Sequence, residues 1–210
     1  MKKHLSFLGA VLTAGMLSAP AYAADSSYYV SGNVGLSSFS DTTVKNHTTQ
    51  VQQGTLKTDS GLALLGAVGV KFDCWRAEAE VGYQRGNVKE MTNNSITTAM
   101  SGNISVTSLL ANGYYDLSTG GINPYLTAGI GLASVGANSV GPASNPGNSS
   151  ESHSVLGYQF GAGIVIPLSK SIDLDVRYRY LGTGNVTNDD KTSEFKLSGS
   201  DFLVGVRIGL

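Results

Sequence analysis

The chain has 210 residues, 14 Lys+Arg against 15 Asp+Glu, and a formal net charge of −1. That length fits one ordinary domain, and a near-neutral balance without a basic cluster argues against a nucleic-acid surface. Glycine is abundant at 27 residues, close to twice the ~7% of ordinary proteins, but it has no three-residue period, which excludes collagen. A single cysteine, Cys74, excludes an intrachain disulfide.

Residues 1–23 read as a secretory signal peptide. Lys2 and Lys3 form a basic start, Leu5 to Leu17 an apolar stretch, and Ala21-Tyr22-Ala23 a small-x-small cleavage site. No cysteine sits at that site, so no lipid anchor is expected. The mature domain then spans 24–210. It has no apolar run of ~18 residues, so any membrane-crossing segment must be β.

Eight segments read as strands, near 27–39, 61–73, 75–85, 104–117, 124–134, 154–167, 171–181 and 200–210. The second places Leu62, Leu64, Gly66, Val68, Val70 and Phe72 on one face. The third sets Trp75, Ala77, Ala79, Val81 and Tyr83 opposite Arg76, Glu78, Glu80, Gly82 and Gln84. The fourth permits either parity, with Asn112, Tyr114 and Asp116 preferred on the polar face. The fifth and sixth carry glycine on that face, as in Gly129 and Gly131, and Gly161 and Gly163. The seventh sets Ile172, Leu174, Val176, Tyr178 and Tyr180 opposite Asp173, Asp175, Arg177 and Arg179. The eighth alternates Phe202, Val204, Val206, Ile208 and Leu210 with Asp201, Leu203, Gly205, Arg207 and Gly209. Such strict alternation marks strands between two unlike surroundings.

Each segment supplies the ~9–11 residues that a tilted strand needs to cross hydrocarbon. The connections alternate between short, at Asp73-Cys74, 118–123 and 167–171, and long and polar, at 40–60, 86–103, 135–153 and 182–199. That sorting predicts an all-β fold: an eight-stranded antiparallel up-and-down transmembrane barrel with short periplasmic turns and four long extracellular loops.

In such a barrel the charges face inward. Arg177 and Arg179 against lipid would cost roughly 2–4 kcal/mol each near the midplane. An eight-stranded ring has room only for side chains, so small residues on some strands must complement large ones on others. Unpaired buried charge is costly, so partners are required. Glu78, Glu80, Asp116, Asp173, Asp175 and Asp201 are available for Lys71, Arg76, Arg177, Arg179 and Arg207. The third and seventh strands lie opposite each other, so Glu78 and Glu80 are expected to meet Arg177 and Arg179. Aromatics near strand ends are expected in interfacial girdles: Tyr28 and Tyr29, Phe72, Trp75, Tyr114 and Tyr115, Tyr158, Tyr178 and Tyr180.

"NGYYDL", "INPYLTAGIGLA", "YQFGAGIVIPLSKSIDLDVRYRYLG" and the closing "DFLVGVRIGL" resemble small Gram-negative outer-membrane barrels of the opacity-protein and OmpA-barrel type, often labelled "porin family". The resemblance covers nearly all of the mature chain from about residue 26. It implies an outer-membrane location, and outer-membrane lipids including lipopolysaccharide and the barrel-assembly machinery as partners. It also suggests a non-enzymatic surface antigen or adhesin whose loops meet a host or surface ligand, or a protein of membrane integrity. The assembly signal of such barrels usually ends in an aromatic residue, whereas this chain ends in Leu210.

Two alternatives remain beside that reading, a narrow porin-like channel and a lipid A-modifying enzyme. Only His47 and His153 survive processing, both expected in long loops. "ESHS" at 151–154 does not offer the separated elements from which a nucleophile and its base are normally assembled. Two distant histidines and one turn cysteine give no metal-ligand spacing, and "NDD" at 188–190 reads as a hydrated loop. Neither cofactor, metal nor catalytic residue is expected.

Overall fold

The computed structural model describes residues 26–46, 52–93, 96–117, 121–144, 150–187 and 193–210. The signal segment, His47 and residues 188–190 lie outside them. Ten strands are formed: β1 (Ser26–Phe39), β2 (Thr42–Asn46), β3 (Gln52–Thr58), β4 (Gly61–Phe72), β5 (Trp75–Asn93), β6 (Ile96–Asp116), β7 (Asn123–Pro142), β8 (Ser150–Pro167), β9 (Ile172–Thr187) and β10 (Ser193–Gly209).

Eight of them close a ring of antiparallel neighbours, in the order β1, β4, β5, β6, β7, β8, β9, β10. The seam is an eleven-pair ladder from Tyr29 opposite Gly209 to Phe39 opposite Gly199. Closure leaves no free sheet edge at that level, which is the condition for a sheet to stand in hydrocarbon. The short strands β2 and β3 continue β1 and β4 past breaks at 40–41 and 59–60. They pair with each other and insert between β10 and β5 above the ring.

The two-residue period decides which side chains go where. On β5, Trp75, Ala77 and Ala79 face out, while Arg76, Glu78, Glu80, Gly82, Gln84, Gly86 and Val88 are buried inside. On β6 the inner parity holds Ile104, Val106, Leu110, Asn112, Tyr114 and Asp116. The large apolar side chains point outward and stay exposed on the isolated chain, Leu36 at 67%, Trp75 at 59% and Leu132 at 62%. That arrangement is stable only with a non-aqueous medium around it.

The turns at one end are tight. Asp73 adopts a left-handed φ of 53° between β4 and β5, a conformation Asp tolerates better than most residues. The Cys74 carbonyl beside it accepts the Asp116 amide at 2.7 Å. At the β8–β9 turn, the Ser169 hydroxyl accepts the Ile172 amide at 3.1 Å.

The opposite end differs from the expectation of four long loops. Most of 40–60, 86–103, 135–153 and 182–199 is strand: β5 runs on to Asn93 and β6 starts at Ile96. Their ladder continues from Glu90 opposite Ala99 to Asn93 opposite Ile96, past a bulge at Asn87. These residues pair as regularly as those below, but their outward faces meet water and carry polar side chains such as Asn87 and Lys89. They therefore lack the apolar alternation that marks a lipid-facing strand.

The glycines serve close packing between strands. Tyr29 lies across Gly69 and Tyr125 across Gly163 inside the ring, and Tyr158 lies across Gly182 outside it. Each tyrosine is in register with its glycine on the next strand. A Cβ at Gly163 would overlap the Tyr125 hydroxyl, whereas one at Gly113 would come no closer than 4.0 Å to the Ala128 carbonyl oxygen.

We predict that Gly163→Ala destabilises the folded chain by about 1–3 kcal/mol through overpacking, while Gly113→Ala is nearly neutral. Urea titration in micelles, followed by the fluorescence of the single tryptophan, measures both. Equal midpoints would remove the close-packing role of Gly163.

Candidate functional site: a sealed lumen

The inward parities of β4, β5, β6, β7, β9, β10 and β1 converge on one ionic network in the half of the lumen nearest the short turns. Glu80 is its bridge. Its two carboxylate oxygens accept the Arg177 guanidinium at 2.9 Å and the Arg179 guanidinium at 2.8 Å. Arg179 also donates to Asp201 at 2.7 Å, and the Gln84 amide donates to the same carboxylate. Arg177 also reaches Asp175 at 3.1 Å. Asp175 accepts the Tyr125 hydroxyl at 2.7 Å and the Asn33 amide at 3.1 Å. Both arginines are buried, Arg177 to 1% and Arg179 to 0% exposure.

A second hub lies on the other side of Tyr114. Arg76 donates from Nε to Asp116 at 3.0 Å and sits 3.6 Å from Glu78. Its guanidinium lies over the Tyr114 ring, 4.2 Å from the centroid, and 4.8 Å from that of Tyr125. Stacking of this kind suits the planar, weakly hydrated guanidinium.

The paired charges differ in one respect from the sequence expectation. Glu80 meets Arg177 and Arg179, but Glu78 does not. Glu78 instead accepts the Tyr29 hydroxyl at 2.7 Å and the Tyr114 hydroxyl at 2.6 Å. The cause is height along the strand: two residues shift a side chain by about 7 Å, which puts Glu78 level with the tyrosines. Tyr29 and Tyr114 accordingly belong to the lumen and not to a girdle. Lys71 lies at the rim, with its ammonium 3.6 Å from Asp116 and its side chain 41% exposed. Arg207 pairs with Asp173 at 2.8 Å, partly open to the same rim.

The outward aromatics form two groups. Tyr28, Phe72 and Trp75 stand exposed near the short turns, with Tyr115 4.8 Å from Trp75. Tyr158, Tyr178 and Tyr180 lie farther along their strands. Tyr158 is 6.5 Å from Tyr180, and the Tyr178 hydroxyl donates to Ser200 at 2.9 Å.

Beyond the ions, toward the long hairpins, the lumen turns apolar. Phe39, Val88, Ile104, Val106, Leu110, Val135, Leu181 and Leu197 pack together inside the ring, with Met100, Val140 and Val155 against them. Sequence reasoning missed this plug. Its residues share parity with charged ones, as Ile104, Val106 and Leu110 do with Asn112 and Asp116, and were therefore indistinguishable from a lipid face.

His153 stands on β8 and not in a loop, opposite Val135 on β7. Ser152 and Ser154 are exposed, whereas His153 is half-buried. Neighbours on a strand point to opposite faces, so the "ESHS" run cannot bring its own serine and histidine together. Among the described residues no group of three His, Cys, Asp or Glu side chains could hold a metal ion.

We predict that Glu80→Ala lowers stability by about 3–5 kcal/mol, because it strips two buried arginines of a shared counter-ion. Lys71→Ala at the rim should cost at most about 1 kcal/mol. Equilibrium urea unfolding in micelles compares them, and an unshifted Glu80→Ala midpoint would sink the bridging role.

Residues 9–206 match the family described as outer membrane protein beta-barrel domain. Among solved structures, Neisserial surface protein A is 22% identical, covering 88% of this chain and 98% of its own, with a TM-score of 0.59. The outer membrane protease OmpT of Escherichia coli is 7% identical, covering 88% and 97%, with a TM-score of 0.53. Ail, the attachment invasion locus protein of Yersinia pestis, is 16% identical over 86% and 98%, with a TM-score of 0.41. No curated protein matches the chain. At these identities the structural likeness speaks for the fold alone, whereas the family match spans most of the sequence. The chain belongs to the outer membrane protein beta-barrel domain family, and its place is the outer membrane.

Proposed function

We propose that this barrel is a non-conducting, non-enzymatic anchor that holds a rigid β surface outside the cell for adhesion-type recognition. The observation that carries the reading is the lumen, which is filled by an ionic network at one end and an apolar plug at the other. A conducting pore needs a continuous wet path, and neither layer offers one. Catalysis needs a nucleophile and base within hydrogen-bond reach in an accessible cleft. The buried carboxylates are instead engaged by arginines and tyrosines.

The recognition surface is the set of extended hairpins. Along β5 the outer interface falls near residue 85, about 25 Å above Trp75 for a strand rising ~3.3 Å per residue at a tilt near 40°. The β5–β6 ribbon then projects a further ~20 Å by the same arithmetic. Lys57 and Glu90 pair across its side at 2.9 Å, and the hydrogen bond and charge of Glu90 raise the lysine pKa. Lys89 pairs with Asp59 at 3.4 Å. A stiff ribbon loses less entropy on binding than a mobile loop.

We predict no resolved conductance steps from the purified barrel in planar bilayers, and regular single-channel openings would overturn the sealed lumen. For the surface role, residues 91–98 can be replaced by an Asn-Gly turn, which suits a two-residue hairpin. Cells displaying this variant should adhere less to matrix-coated surfaces than cells displaying the full chain. Equal adhesion, together with equal resistance to detergent challenge in cells lacking the protein, would count against surface recognition and membrane integrity alike.

A further inference from the structure

Several buried polar atoms of the lumen have no hydrogen-bond partner in the chain, and three of them lie together. Asp201 on β10 gives one oxygen, Oδ2, to Arg179 at 2.7 Å and to the Gln84 amide nitrogen. Its other oxygen, Oδ1, is unpartnered, and so are Gln84 Oε1 and the Ser37 hydroxyl. All three side chains are sealed from solvent, Ser37 and Asp201 at 0% exposure and Gln84 at 2%.

Their place in the ring is specific. Ser37 on β1 stands in register with Asp201 on β10, so this pair spans the seam that closes the barrel. Gln84 reaches the same carboxylate from β5, two strands beyond β1 in the ring. Phe39, the next residue on the inner face of β1, belongs to the apolar plug, and the ionic network begins at Asp201 itself. Bulk water is therefore shut out. A buried acceptor left unpaired weakens folding by roughly tenfold in the equilibrium constant, so three such atoms side by side call for a shared partner.

We propose that Ser37, Gln84 and Asp201 bind one ordered water molecule that latches the seam. The inventory of donors and acceptors fits water. Asp201 Oδ1 and Gln84 Oε1 accept its two O–H groups, and its oxygen accepts the Ser37 hydroxyl. Such a water makes three hydrogen bonds, the usual number for a buried one (~3). A cation is the poorer occupant. Arg179 already holds the same carboxylate, and three oxygens fall well short of the about six that magnesium or calcium takes. The latch ties the first and last strands of the ring to the wall at β5. It concerns how the barrel stays shut and is independent of the surface role.

The test uses the mature chain refolded in detergent micelles. An atomic-resolution crystal structure, from crystals grown in caesium chloride, should show one water peak within hydrogen-bond distance of Ser37 Oγ, Gln84 Oε1 and Asp201 Oδ1. An anomalous peak at that point would mean a cation, and direct contacts without a water would mean that the side chains satisfy one another. Either result overturns the proposal. Urea unfolding then measures the coupling across the site. Ser37 and Gln84 share no hydrogen bond through these atoms, so a bridge is what would make Ser37→Ala and Gln84→Met interact. The double variant should lose about fivefold less in the folding equilibrium constant than the product of the single losses, because the second change removes a water already gone. Losses that multiply to within about twofold overturn the latch. Ser37→Ala combined with Lys71→Ala at the rim is the control and should multiply. The heat-induced gel shift checks that each variant is folded, and the crystal structure decides the matter alone should one of them fail to fold.

Discussion

A ring of eight strands in hydrocarbon must hide its ionised side chains inside itself, and Glu80 is the residue on which this concealment turns. It faces two arginines from the opposite wall, and each of those returns to a further carboxylate, Asp175 or Asp201. An arginine buried to this degree without its partners would cost several kcal/mol, while the well-paired assembly roughly offsets its own desolvation. The network therefore adds less to net stability than it adds to uniqueness. A strand slipped by one residue would put every inward charge into lipid, so register on both sides of the barrel is firmly specified.

Glycine and tyrosine solve the space problem that the charges create. Large guanidiniums crowd the wall of β9, and the neighbouring strand β8 gives way at Gly163 so that Tyr125 can lie across it and reach Asp175. The same device at Gly69 lets Tyr29 reach Glu78. Glycine weakens a strand in isolation. Here the loss is offset by ring burial and by hydrogen bonds that no smaller side chain could span.

Much of this is legible in the sequence, because a two-residue period read with charge assigns faces directly. Asp173 to Arg179 on one parity could go nowhere but inward. Parity gives a face, however, and says nothing of height or tilt. Glu78 and Glu80 were thus equivalent on paper, although one meets tyrosines and the other arginines. Adjacent tyrosines, Tyr28-Tyr29 and Tyr114-Tyr115, point to opposite faces, and counting both as interfacial ignored that alternation. The strands were cut short for a different reason. Above the bilayer the outer face of a sheet meets water in place of lipid, so segments such as Lys89–Asn93 carry no apolar stripe to read, although their backbones pair as regularly as those below.

The separation of bridged residues along the chain bears on how the barrel is made. Glu80 lies 97 residues from Arg177 and 99 from Arg179, and the strands that carry them are brought face to face only as the cylinder shuts. Contacts between such distant positions carry a large loop-closure cost and form late. Until then, β9 holds two guanidiniums with no counter-ion across the lumen, so entry of half-made strands into the bilayer one at a time is strongly opposed. Biogenesis of this chain is thereby directed toward a sheltered, nearly complete cylinder whose charges are neutralised as it enters the membrane.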